Sequence, residues 1–451
     1  MSTGRLIGLA AALAAALSLA AFSYLRFDTH PSAPGGGLPP GDAANTPSAS
    51  KYSNNELIDF WRGRVERDPR DYISFTELAG AFMRRARETG DVDSYTRAEQ
   101  ALRRALDLNP RYAGALAYEA SLLFARHDFE GALNAAERIY SLDPDAAHAL
   151  AVAGDARLEL GRYSEAQSDY ERLLELSRTA PVFSRLAHLR ELQGHPDEAI
   201  ALTTEAVAQA DEEQATAESR AWYRAQLGRL HFNVGDLESA RAQYEASIEA
   251  FPGYVHALAG LARVAAARGD YDEAIGSYEQ VVARQPILEH VAALGDTYAA
   301  AGRDADAKRQ YDLVAAIDGL YRANGINTDL EIALFLADHD RNIEDAVSQA
   351  RTVYEAQPGS IRAADALSWA LYKAGNLDEA LTYSNEALRL GTQDPLLFFH
   401  AGMINSRLGN DEVAADHLAR ALEINPHFSV LHAGEAEATL EALRSSVRHS
   451  R

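Results

Sequence analysis

The sequence predicts an all-α protein, a superhelical solenoid of antiparallel helix hairpins that ends in a C-terminal capping helix. Two observations predict this class. A small residue recurs with an Ala twelve residues later and often a Pro twelve after that, as in Ala120, Ala132 and Pro144. A turn glycine, such as Gly269, falls between the first two positions at a constant offset. This spacing of small residues, glycine and proline is typical of a repeated unit in which two helices are joined by tight turns.

Composition limits the classes of function. The 451 residues carry 43 Lys and Arg against 66 Asp and Glu, a formal net charge of −23. This balance argues against binding of a nucleic-acid phosphate backbone as the main activity. The absence of cysteine excludes disulfides, thiol nucleophiles and thiolate metal sites.

Residues 1–26 are expected to be an N-terminal signal anchor or a signal peptide. The segment from Leu6 to Leu25 has no charge, and its length matches the ~20 apolar residues that span a bilayer. Small residues at Ser18-Leu19-Ala20 leave cleavage by a signal peptidase open. Residues 27–51 are rich in Pro and Gly and predict a linker. Together they predict an extracytoplasmic location at the cell envelope, either anchored or released.

Residues 52–443 are predicted to form one array of about ten repeats, which includes the C-terminal cap, and residues 444–451 a polar tail. The approximate limits of the units are 72–110, 113–144, 147–178, 180–211, 221–252, 255–286, 288–319, 327–358, 361–392 and 395–426. Insertions are expected at 212–220 and 320–326. An amphipathic segment from Val430 to Leu443 is suited to cover the last hydrophobic face of a stacked array.

A period of about 34 residues with this pattern resembles the tetratricopeptide repeat (TPR) family. The stretch Leu261-Ala262…Gly269-Asp-Tyr-Asp-Glu-Ala274…Tyr278…Pro286 carries the resemblance most fully. The resemblance implies that the first helix of each hairpin lines the concave face of a superhelix. It also implies that extended peptides or partner helices bind in that groove.

No catalytic motif, paired-His zinc motif or phosphate-binding loop occurs in the sequence, so neither an enzyme nor a cofactor or metal site is expected. The run Asp338-His339-Asp340 could be pictured as a metal cluster. The repeat register places it at a turn, which favours a solvated cap.

Residues just after the small packing residue, and three before it, are expected to face the groove. In the last three units these partner-binding candidates are Glu331, Phe335, Asp338, Asp365, Trp369, Tyr372, Phe399 and Met403. In the middle units they are Trp222, Arg229, Phe232 and Arg263. Aromatic and Arg side chains are typical binding hot spots. The sequence leaves open a second interpretation, in which the rings fill the seam between adjacent helices.

A carboxylate clamp is one specific form that such a groove takes in some TPR proteins. Arg229 and Asn233 have the required i, i+4 spacing on one helix face. The next two units supply Val264, Leu294 and Tyr298 where further Asn and basic residues would be needed. The sequence therefore argues against this clamp.

The favoured function is a non-enzymatic TPR scaffold or adaptor at the cell envelope. Its expected partner is a protein or peptide in the concave groove, with the membrane contacted through the N-terminal segment and no nucleic acid bound. The alternative is a regulatory or assembly subunit of an envelope biosynthetic, glycosyl-transfer or secretion complex.

Overall fold

A computed structural model describes residues 53–449, and all regular secondary structure in that range is α-helical. The predicted all-α solenoid of hairpins is confirmed. The predictions for residues 1–26 and 27–51 fall outside the described residues. The last helix continues to His449, past the boundary at 443 that the sequence suggested for a polar tail.

Twenty-two helices follow one another within residues 53–449. They are α1 Asn54–Arg67, α2 Tyr72–Thr89, α3 Asp93–Leu108, α4 Ala113–Ala125, α5 Phe129–Tyr140, α6 Ala147–Glu159, α7 Tyr163–Leu176, α8 Ala180–Leu192, α9 Pro196–Glu212, α10 Ala217–Asn233, α11 Leu237–Ala250, α12 Val255–Ala267, α13 Tyr271–Arg284, α14 Leu288–Ala300, α15 Asp304–Ala323, α16 Asp329–Asp338, α17 Ile343–Ala356, α18 Ile361–Lys373, α19 Leu377–Ala387, α20 Pro395–Leu408, α21 Asp411–Ile424 and α22 Ala433–His449.

Helices α2 to α21 pair into ten consecutive hairpins, with α1 packed against the first and α22 against the last. The insertions lengthen helices and leave the stacking intact. Helices α9 and α10 each have 17 residues, and α15 has 20, whereas a helix such as α12 has 13. The repeat therefore tolerates extra residues where one helix can extend by about one to two turns.

The small residue on the first helix of a hairpin makes room for a tyrosine from the second helix. A Cβ atom at Gly228 would lie 2.8 Å from the ring of Tyr244, and one at Gly154 would lie 2.5 Å from the ring of Tyr170. Such distances are too short for a side chain, so any larger residue would separate the two helices.

Successive turns of the superhelix touch after six hairpins. The Ile361 backbone N–H donates to the Tyr163 hydroxyl oxygen at 3.0 Å, across 198 residues of sequence. The Asn425 side-chain amide donates to the Phe232 carbonyl at 2.7 Å, across 193 residues. The Asn327 N–H likewise donates to the Arg126 carbonyl at 3.1 Å. Loops between hairpins therefore rest on the turns of hairpins six units earlier.

Glycine makes the closest of these contacts possible. Gly161 has φ +75°, and a Cβ atom there would overlap the backbone of Gly359 on the next turn of the superhelix. Gly269 has a similar φ of +82°, yet no atom lies within 4 Å of its Cβ position. Backbone conformation alone explains Gly269, whereas Gly161 also permits the two turns to meet.

Candidate ligand site on the concave face

The contact between turns converts part of the concave groove into a partly enclosed cavity of about 360 Å³, called the lumen below. Its walls come mainly from the first helices α8, α10, α12 and α14, and from the starts of α18 and α20 one turn further on. The charged residues that line it are Glu159, Glu191, Arg229, Arg263, Glu289, Arg362 and Asp394. Cavities of this size are typical of small-ligand sites.

Arg229 and Asn233 hold a carboxylate from within the chain. The two terminal nitrogens of Arg229 each donate to one oxygen of Glu191 at 2.8 Å, and Asn233 donates to the same side chain at 3.0 Å. Burial opposes ionisation of Glu191, but the charge of Arg229 and the neighbouring His188 hold its pKa well below the usual range. The pair that resembles a clamp is thus occupied by the preceding repeat, in agreement with the sequence argument.

Similar contacts between first helices of successive repeats recur along the array. Arg185 on α8 donates to both oxygens of Asp155 on α6 at 2.9 Å, with both side chains buried. His339 lies 2.8 Å from Asp296, and His400 lies 2.9 Å from Asp365. Since each carboxylate is matched by a donor on the next repeat, these pairs help fix the stacking register.

Two carboxylates in the lumen lack such a donor on the next repeat. Within residues 53–449, neither Glu289 nor Asp394 has a cationic group within 4.0 Å, although one oxygen of Asp394 accepts from the Leu396 N–H at 2.9 Å. Both side chains are exposed, but to the lumen, where surrounding protein displaces bulk water. This desolvation raises the pKa of Glu289 and of Asp394. Sequence reasoning missed both residues, because Glu289 lies in the first turn of α14 and Asp394 is the N-cap of α20, two positions where acids are common for reasons of helix stability.

Two tyrosines complete the wall beside Glu289. Tyr244 and Tyr278 are only 3% and 5% exposed, line the lumen and have no hydrogen-bond partner among the described residues. Burial raises the pKa of Tyr244 to about 12, so its hydroxyl stays neutral and able to donate or accept. Both tyrosines stand at a regular position on the second helix of a hairpin, where packing is their ordinary role. The sequence alone therefore provided no reason to assign them to a ligand site.

The aromatic residues predicted in the last units lie in the seam between α18 and α20. Trp369, Tyr372, Phe399 and Met403 are each less than one-tenth exposed. The Trp369 ring stacks on Tyr372 and on His400, with centroids 4.8 and 4.2 Å apart. Phe428, from the loop before the capping helix, covers Phe399 at 5.7 Å. Their position corresponds to the seam interpretation, and a role in partner binding stays a prediction.

Two of the predicted carboxylates, Asp338 and Asp365, have partners within the chain. Asp338 accepts from the indole N–H of Trp369 at 2.8 Å and lies 3.1 Å from His432 Nε2, and Asp365 faces His400. Burial disfavours a charged His432, but its contacts with Asp338 and Glu435 raise its pKa to about 9. Asp338 and Asp365 are therefore engaged by partners within the chain, and their role in partner binding stays a prediction.

The other predicted residues divide between the lumen and the core. Arg263 lines the lumen, with its guanidinium 4.0 Å from the ring centroid of Phe232 and one N–H donating to the Phe428 carbonyl at 3.4 Å. Trp222 is buried, at 4% exposure. Glu331 borders a small cavity of about 20 Å³, and Phe335 packs edge-on against Tyr311.

The run Asp338-His339-Asp340 does not converge on one point. Asp338 faces Trp369, His339 faces Asp296, and Asp340 accepts from Lys373 at 3.0 Å. In the part of the chain that the structure describes, no three His, Asp or Glu side chains are grouped to hold a metal ion. Over the same residues, no helix combines the length and apolar character needed to cross a bilayer.

The helical hairpins, their spacing and their stacking define the chain as an α-solenoid repeat protein. The tetratricopeptide repeat model matches residues 83–147, 119–181, 225–286, 261–321, 337–395 and 366–427. These matches cover well over half of the chain. The chain belongs to the tetratricopeptide repeat family.

Individual relatives are distant. The chain is 35% identical to Tetratricopeptide repeat protein 8 of Caenorhabditis elegans over 86 residues, which is 19% of this chain and 17% of that protein. Solved structures that resemble it include BtubC from P. vanneervenii, with 20% identity, TM-score 0.35 and coverage of 44% of this chain and 91% of that one. Yeast Tom70 has 14% identity, TM-score 0.35 and coverage of 84% and 96%.

Proposed function

We propose that the chain is a non-enzymatic scaffold that binds a segment of another protein in the lumen of its concave face. One observation supports this most strongly. Among the described residues, the lumen contains two carboxylates without an ion-pair partner and two tyrosine hydroxyls without a hydrogen-bond partner, whereas carboxylates elsewhere on the first helices, such as Asp155 and Asp365, are paired. Unsatisfied polar groups in a partly enclosed cavity are costly unless a ligand or water bonds to them.

Site-specific photo-crosslinking tests this proposal. A photoreactive amino acid replaces Gln226, which lines the lumen, in the full-length chain expressed in its native cells. The matched control carries the same amino acid at Gln280, an exposed residue on α13 that does not line the lumen. A discrete adduct from position 226 alone is expected. Equal adducts from both positions, or none from position 226, would contradict binding in the lumen.

The identity of the adduct also separates the two functional hypotheses. An adaptor should yield a partner that has no catalytic role of its own. A regulatory or assembly subunit should yield a component of an envelope biosynthetic, glycosyl-transfer or secretion complex.

We also propose that the repeat array works outside the cytoplasm, at the cell envelope. The support is the uncharged segment from Leu6 to Leu25 and the Pro/Gly-rich stretch that follows it. Fusion of alkaline phosphatase after Ser50 should give activity, and deletion of residues 6–25 should abolish it. Activity of a cytoplasm-only reporter at the same position would contradict export. Carbonate washing of membranes then distinguishes an anchored from a released protein.

A further inference from the structure

The size of the lumen restricts what can occupy it. The lumen offers about 360 Å³, which is enough for one long side chain with its flanking backbone.

The charged side chains that line the lumen have a net negative charge. Four carboxylates and three guanidinium groups line it. Arg229 is paired with Glu191 at 2.8 Å, and Arg362 lies 3.6 Å from Glu159. Glu289 and Asp394 then face a single remaining cation, Arg263, whose guanidinium lies against the ring of Phe232 instead of against a carboxylate.

Two hydroxyl groups provide a second observation in support of a ligand at this position. The side chains of Tyr244 and Tyr278 are more than nine-tenths buried, line the lumen and have no hydrogen-bond partner among the described residues. Tyr244, Tyr278 and Glu289 line the lumen from three successive hairpins. Arg263 is the charged residue that acts most strongly on all three. A hydroxyl oxygen and a carboxylate are both acceptors for a cationic donor.

We infer that the lumen recognises a basic side chain, arginine or lysine, of an extended peptide, with Glu289 as its counter-ion and Tyr244 and Tyr278 as further acceptors. This inference rests on the proposed function and specifies the chemistry of the bound segment. A guanidinium presents five N–H donors, enough to satisfy the carboxylate and both hydroxyls together. The clamp pair Arg229 and Asn233 does not compete for an acidic ligand, because Glu191 occupies it.

Four capped peptides test the inference against the purified full-length protein. They have the sequence Gly-Ser-Gly-X-Gly-Ser-Gly, where X is Arg, Lys, Gln or Glu, and binding is measured by calorimetry and by NMR titration. The Arg and Lys peptides should bind at least tenfold more tightly than the Gln and Glu peptides. Tighter or equal binding of the Glu peptide would overturn the inference, and so would binding of none of the four.

Three variants locate the site. Glu289→Gln should weaken binding of the Arg peptide about tenfold, and Arg263→Gln should strengthen it, because that change removes the competing cation. Glu273→Gln, an exposed acid on α13 outside the lumen, should leave binding unchanged. Equal losses for Glu289→Gln and Glu273→Gln would overturn the assignment. Circular dichroism and melting temperature confirm that each variant folds.

The same data separate this inference from the proposed function. If the Gln or Glu peptide binds at the lumen as tightly as the Arg peptide, the cation preference fails while the lumen remains a peptide site. Photo-crosslinking at position 226 tests the proposed function without reference to charge, so its failure is seen independently.

Discussion

The concave face has two regions that occupy the same positions of the repeat and differ in what covers them. Around α10 to α14 the first helices border the lumen, and Glu289, Tyr244 and Tyr278 there lack partners among the described residues. Around α18 and α20 the equivalent surface is closed, because Trp369 and Phe399 pack on each other and under the loop before the capping helix.

This difference shows that position in the repeat does not by itself decide whether a residue binds a ligand or fills a seam. The deciding factor is what the next superhelical turn or the capping segment brings to that point. Phe428 and His432 cover Phe399 at ring distances of 5.7 and 4.8 Å. The starts of α18 and α20 instead leave open space opposite α12 and α14.

The largest effect is expected at the closed region. Trp369→Ala should lower the free energy of unfolding by about 3–5 kcal/mol, because it empties a site in which the indole is 1% exposed and makes a hydrogen bond to Asp338. Denaturant unfolding followed by circular dichroism measures the loss. Gln226→Ala, in the lumen wall, is the control; it removes only the hydrogen bond that Gln226 accepts from Arg229 at 3.2 Å and should cost about 1 kcal/mol or less. Similar costs for the two changes would remove the distinction between the regions.

The second-largest effect is expected at alkaline pH, which should lower the stability of the closed region. The contact with Asp338 raises the pKa of His432 to about 9, above the ~6.5 of an unfolded histidine. The resulting stabilisation, about 3 kcal/mol, is complete below pH ~6.5 and is lost as pH rises through 9. Denaturant unfolding between pH 6.5 and 9.5 should show this fall in the wild-type protein and a smaller one in His432→Gln.

The control for this titration is His195→Gln, at an exposed turn, which should keep the wild-type slope. Some slope should persist in His432→Gln, because the hydrogen bond to Asp296 raises the pKa of His339 despite its burial. A wild-type stability that stays constant or rises over this range would contradict the His432–Asp338 pairing.

A smaller effect is expected from the contact between turns. Gly161→Ala and Gly269→Ala both place a Cβ atom at positive φ, which costs ~1–2 kcal/mol. Only Gly161 also meets the backbone of Gly359, so its variant should lose a further ~1–3 kcal/mol through overpacking. Urea unfolding of the matched pair measures the excess. Equal destabilisation would indicate that the turns are not in contact.

The smallest effect is expected in the lumen. Glu289→Gln should stabilise the protein by about 0.5 kcal/mol or less, because desolvation in the lumen raises the pKa of Glu289 despite the opposing charge of Arg263, while water in the lumen still screens the carboxylate. The gain should disappear as pH falls and the wild-type carboxyl becomes protonated. A marked loss of stability in Glu289→Gln would show that an internal cation pairs with this carboxylate.

The hairpins could be predicted from the sequence because their determinants are local. The small residue at Gly228 and the turn glycine at Gly235 have equivalents in most units and need no distant information. The closure of the superhelix could not be predicted in this way. It depends on contacts such as Phe232 with Asn425, which lie 193 residues apart and leave no periodic signal.

The site could be predicted only in part for the same reason. Arg229 and Arg263 were found from their offset in the repeat and do line the lumen. Trp369 has an equivalent offset but is buried by the next hairpin and the loop before α22. Asp394 enters the lumen from the second superhelical turn, so no offset within one repeat could have indicated it.

Cross-linking between turns of the superhelix tests the closed lumen most directly. Because the chain has no native cysteine, only the introduced thiols can react. Glu159→Cys with Arg362→Cys places one thiol on each of two successive turns, at positions whose native side chains meet end to end at 3.6 Å. Glu273→Cys with Arg362→Cys is the control pair, closer in sequence but not joined by the lumen wall. A short bis-maleimide should link the first pair in high yield and the control pair poorly. Equal yields, or a failure to link positions 159 and 362, would contradict a superhelix closed by contacts between its turns.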